Sequence, residues 1–126
     1  MNAIPGTPAH DALLAAFRAR VDATIAADIA REEAAAEVLR AAVVPVVRAV
    51  VARARDEGVC RRVWLFGSFA WGQPSEGSDI DLLVEGDEDE LAYLVGAATL
   101  RAVHALDLDA APASLRDRCT SDGVAL

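Results

Sequence analysis

The chain has 126 residues, 54% of them hydrophobic, and a formal net charge of −8. That length suits one compact domain, and alanine inflates the apolar fraction, so the expected core is modest and helix-rich. No apolar run reaches the ~18–20 residues of a membrane span, and the N-terminus lacks the positive charge and apolar core of a secretory signal, so the expected location is cytoplasmic, with no membrane partner.

Charge is unevenly placed. Residues 63–126 carry 3 Arg against 12 Asp and Glu, whereas residues 1–62 carry 9 Arg against 8 acids. An acidic half argues against a strong nucleic-acid footprint, because duplex binding needs phosphate neutralisation. Cys60 and Cys119 have neither redox nor metal-framework spacing and read as structural thiols.

In chain order, Thr7-Pro8 is a helix start, with Thr7 as N-cap and Pro8 at the first helical position. Leu13, Phe17, Val21, Ile25 and Ile29 then recur every four residues and form an apolar stripe. The pattern runs to about Val44 as one helix or as a hairpin broken near Ala27–Arg31. Pro45 predicts a kink or break. A second helix is expected over Pro45–Glu57, burying Val46, Val47, Val50 and Val51, with Gly58 as its C-cap. This divides the chain into an N-terminal helical extension, residues 1–44, and a domain over residues 45–126.

A strand follows at Arg62–Phe66, closed by Gly67-Ser68. After the polar loop Gln73–Ser78 comes a second strand, Asp79–Val84. Asp79 and Asp81 share one face of it, because strand side chains alternate. Two like charges held side by side call for a cation, and hard oxygen ligands suit Mg²⁺ or Mn²⁺. Glycine at the preceding turn lets backbone amides approach a phosphate, and Ser68 can add a hydroxyl. A phosphate cradle beside metal-binding carboxylates is equipment for moving a nucleotidyl group from a triphosphate. Further elements are a helix near Asp89–Arg101 with Leu91, Leu94, Val95 and Ala98 inward, a strand over Val103–Asp109, and a helix from Pro112 to Asp122 stopped by Gly123.

The Gly-Ser pair, ten residues, then Asp-x-Asp is the signature of the polymerase β-like nucleotidyltransferase superfamily. The chain most resembles its minimal nucleotidyltransferase branch, which occurs beside HEPN-domain partners. The resemblance implies an α+β fold: a polymerase β-like nucleotidyltransferase core, a small mixed sheet packed by helices, here with a long N-terminal helical extension. It implies that Gly67 and Ser68, with Ser78 and Trp71 nearby, bind a nucleotide such as ATP. It implies that Asp79 and Asp81 are catalytic ligands of two metal ions, the second shared with Asp107 as third carboxylate and general base, or else with Asp109. Trp71 stands where many relatives carry Arg or Lys, and it can stack on a base or pack. The chain contains no lysine. The resemblance further implies AMP transfer to a tyrosine hydroxyl of a HEPN-type toxin, an antitoxin role. Two other classes stay open: a catalytically weak structural antitoxin, and a nucleotidyltransferase acting on a small molecule of aminoglycoside type. The apolar stripe suggests a contact surface for such a partner or for a homo-oligomer.

Overall fold

A computed structural model describes residues 6–126. The described elements are α1 (Pro8–Asp56), β1 (Cys60–Phe66), a 3-10 turn (Gly67–Phe69), β2 (Ile80–Gly86), α2 (Glu88–Thr99), β3 (Val103–Asp107), α3 (Ala113–Asp122) and β4 (Val124–Ala125). The chain divides by contacts into two compact units, Met1–Ala34 and Ala35–Leu126. Residues 1–5 of the expected N-terminal extension lie outside the described residues.

In the first unit, Thr7 caps α1 as expected: its Oγ1 accepts a hydrogen bond from the His10 amide at 3.3 Å. Leu13, Phe17, Val21, Ile25 and Ile29 are each between 39% and 58% exposed.

The expected break at Pro45 does not occur, nor does the hairpin near Ala27–Arg31; α1 is one helix with Pro45 inside it. An internal proline costs roughly 3 kcal/mol through its missing donor and its ring. The residues on both sides outweigh that. Leu39, Val43 and Val44 before it and Val50 after it are partly buried against one core that holds Val47 and Val51 fully, and full burial of such a side chain is worth roughly 1.5–3 kcal/mol. Val46, expected inside, is instead exposed. The helix ends at Asp56, and Gly58 then adopts φ +79°, the left-handed geometry that glycine tolerates.

The sheet has order β3-β2-β1-β4. β1 runs antiparallel to β2 and β4, and β2 runs parallel to β3 through α2. Asp87 caps α2, its side chain accepting from the Glu90 amide at 3.1 Å. Leu91 and Val95 of α2 are buried, whereas Ala98, expected inward, is exposed. One face of the sheet (Val63, Leu65, Ile80, Leu82, Val84) packs against α1 and α2. The opposite face carries Phe66, Leu83 and Leu106 against Trp71 and Cys119. Both cysteines are buried and free, and burial pushes both thiols above their usual range, so they are inert packing groups. No helix among the described residues is long and apolar enough to cross a membrane.

Candidate active site

The second face of the sheet carries the motif. β1 ends at Phe66, which pairs with Asp81 in the antiparallel register. That pairing sets Gly67 directly against the Asp81 carboxylate. Gly67 has φ +72°, and a β-carbon there would collide with Oδ2 of Asp81. Only glycine satisfies both constraints. The Gly67 carbonyl then gathers the amides of Ala70, Trp71 and Gly72 at 3.0, 3.0 and 3.3 Å, which folds Ser68 and Phe69 into a tight turn.

Two arginines hold this region in place. Arg40 of α1 donates from Nε to the Phe69 carbonyl at 3.2 Å and from Nη2 to the Gly72 carbonyl at 2.7 Å. Glu37 steadies it, accepting from Nη1 at 2.8 Å. Arg101, between α2 and β3, holds the loop that leads into β2. Its Nη1 reaches the carbonyls of Ser75, Glu76 and Ser78 at 3.4, 3.0 and 3.3 Å. Its guanidinium also lies over the Phe69 ring, 5.5 Å from the centroid. Neither residue has a local sequence signal; both act across long chain separations.

Asp81 is half-buried, and Asp79, just before β2, is exposed. Burial pushes the Asp81 carboxyl above its ordinary value, and the charge of Asp79 adds to the push; the neighbouring His104 works against both. A cation nearby would oppose both effects and favour the charged carboxylate. Among the described residues no three His, Cys, Asp or Glu side chains form a ready-made metal cage. Mg²⁺ is commonly held by one or two carboxylates plus substrate phosphates. Asp79 and Asp81 therefore fit a cation that arrives with a triphosphate.

The third carboxylate expected at Asp107 is not brought to this place. In the parallel register Asp81 lies across from His104, and Asp107 lies across from buried Val84, on the opposite face. Oδ1 of Asp107 accepts the Asp109 amide at 3.2 Å. Asp109, the alternate, lines a shallow pocket with Arg62, Trp64 and Glu85 at the far end of the strands. His104 is the side chain beside Asp81, with Nδ1 3.6 Å from Oδ1. The physical reason is register: β3 starts at Val103, so its even-numbered residues share the face of Asp81.

Ser78 is engaged in its own loop, its Oγ accepting the Ser75 amide at 2.8 Å. Trp71 packs within the cluster of this face, 6.0 Å from Phe66 between ring centroids. Arg118 of α3 lies over the Trp71 ring at 4.1 Å, and so brings to the turn a positive charge that the local sequence lacks.

A family model for the nucleotidyltransferase domain matches residues 48–112, about half of the chain. A solved structure described as a "putative minimal nucleotidyltransferase" is similar at 28% identity and TM-score 0.56, covering 71% of this chain and 94% of its own. No curated protein matches the chain. The family match runs through the C-terminal end of α1, the Gly67 turn, Asp79, Asp81 and β3, and with the shared fold it places the chain in the nucleotidyltransferase domain family, in the minimal branch of the polymerase β-like superfamily.

Proposed function

We propose that the protein transfers AMP from ATP to a hydroxyl, with a tyrosine of a HEPN-type toxin as acceptor, so that it serves as an antitoxin. The observation that carries this reading is the contact of Gly67 with Asp81, which sets a phosphate-approaching turn against the metal-binding carboxylates. Gly67 and Ser68 receive the β- and γ-phosphates. Asp79 and Asp81 hold Mg²⁺ or Mn²⁺, which when bound neutralises phosphate charge and the departing pyrophosphate. Arg118, carried on the Trp71 ring, supplies the cationic side chain for the phosphates. The acceptor oxygen bonds to the α-phosphorus, the bond from that phosphorus to its bridging oxygen breaks, and the hydroxyl proton passes to water.

The exposed stripe Leu13–Ile29 is the proposed contact surface for the partner, since exposed apolar patches of this kind mark interfaces. In this reading residues 1–44 are the docking extension and residues 45–126 the transferase domain, although Arg40 and Val43 serve the core as well. A Phe17→Glu variant should retain its fold and lose partner capture in a co-purification.

The test of activity is intact-mass spectrometry of the HEPN partner after incubation with Mg²⁺ and ATP. One adenylyl group added to a tyrosine supports the proposal, and an unchanged mass at saturating ATP contradicts it. Among the described residues no third carboxylate joins Asp79 and Asp81, which favours the second reading, a weakly catalytic antitoxin that acts by occupying its partner. That reading predicts a tight complex with no mass change.

A further inference from the structure

The inference that follows rests on the nucleotidyl-transfer reading above and concerns how many cations the site takes. We infer that it takes a single divalent cation per bound triphosphate, and that His104 sets this number by standing where a second cation would need a carboxylate.

Register makes the argument. Asp81 and His104 are direct neighbours on parallel strands, so their side chains emerge on the same face. Nδ1 of His104 stands 3.6 Å from Oδ1 of Asp81. The next β3 residue on that face is Leu106, which packs against Leu83 and offers no ligand. Asp107 is out of step by one position, and a one-residue offset sends a strand side chain to the other face. Asp109 sits with Arg62 at the far end of the strands.

Charge and ligand chemistry point the same way. Asp79 and Asp81 together carry two negative charges, which balance one divalent cation. Paired cations in two-metal sites lie ~3.5–4 Å apart and need further anionic oxygens between or beside them. A carboxylate at the β3 position would offer two oxygens and a negative charge. An imidazole offers one nitrogen lone pair and no negative charge, and Mg²⁺ prefers oxygen. The site therefore binds the cation that comes with the nucleotide, and the acceptor side of the site is left without a second one.

The experiment uses the full chain, Mn²⁺ and the non-hydrolysable nucleotide α,β-methylene-ATP. Bound nucleotide is measured by ultrafiltration, and free Mn²⁺ is counted by electron paramagnetic resonance. The wild type should reach a plateau of one Mn²⁺ per protein–nucleotide complex. His104 is 63% exposed in its side chain, so substitution should leave the fold intact, as circular dichroism would show. His104→Asp should bind two Mn²⁺ per complex and His104→Asn one. Two Mn²⁺ per complex in the wild type would overturn the inference while leaving the transfer reading standing. One in His104→Asp, with nucleotide still bound, would overturn the role given to His104. No nucleotide retained by the wild type would overturn the transfer reading and the inference with it.

Discussion

Gly67 and Asp81 form a fitted pair: the left-handed backbone of the first leaves room for the carboxylate of the second, and a single β-carbon would close it. Strand pairing between Phe66 and Asp81 fixes the contact and ties the Gly67 turn to β2. Gly67→Ala should lower stability by about 1–3 kcal/mol, the cost of a strained backbone position. It should also displace Asp81 and so abolish binding of Mg²⁺–ATP. Urea unfolding and calorimetry measure the two effects separately, and a variant with wild-type affinity would show that the contact is not needed.

Arg40 ties α1 to the turn through two carbonyls that belong to different residues, Phe69 and Gly72. Hydrogen bonds from a charged donor are worth roughly 1.5–3 kcal/mol when their loss leaves partners unsatisfied. Arg40→Met keeps the stem and removes the donors. Its urea midpoint should fall by an amount corresponding to that range, and nucleotide affinity should fall with it. An unchanged midpoint would mean that water replaces the guanidinium at no cost.

Arg118 lies over Trp71 and is proposed as the cation for the phosphates. Its side chain is 56% exposed, so Arg118→Ala should leave stability nearly unchanged. The Kd for Mg²⁺–ATP should rise about tenfold, equivalent to ~1.4 kcal/mol. Titration followed by tryptophan fluorescence reads this directly, and an unaltered Kd would remove Arg118 from the site.

The Asp81 carboxyl is pushed upward in the folded state, by burial first and then by the charge of Asp79, against the opposing pull of His104. The folded protein thus holds this proton more tightly than the unfolded chain does. Stability from this group is present below the ordinary carboxylate range and is lost as pH rises through the raised value. Without metal, Asp81→Asn should be more stable than the wild type at pH 7, and the gap should narrow as pH falls toward the ordinary carboxylate range. Mg²⁺ with ATP should stabilise the wild type and leave the variant unaffected. Thermal unfolding across pH reads both, and a gap that widens toward acid would contradict the assignment.

Much of this site is written in short-range sequence. Gly67 and Ser68 form the turn that closes β1, and Asp79 and Asp81 stand at the start of β2; the turn and the strand were found where they were expected. The α+β architecture, the Thr7 cap and the stop at Gly123 were legible for the same reason: each depends on near neighbours. What failed depends on tertiary context. The helix runs through Pro45 because core packing on both sides outweighs a local penalty. Asp107 is set apart from Asp81 by strand register, which no single segment encodes. Arg40, Arg101 and Arg118 reach the site from distant helices and loops and have no motif of their own.

Transfer of label from ATP tests the central claim most directly. The protein is incubated with Mg²⁺, the HEPN-type partner, and ATP labelled at either the α- or the γ-phosphate. The account predicts that α-label moves to the partner, that γ-label leaves with pyrophosphate, and that Asp81→Asn transfers neither. Movement of γ-label to the partner, or α-label transfer undiminished in Asp81→Asn, would contradict it.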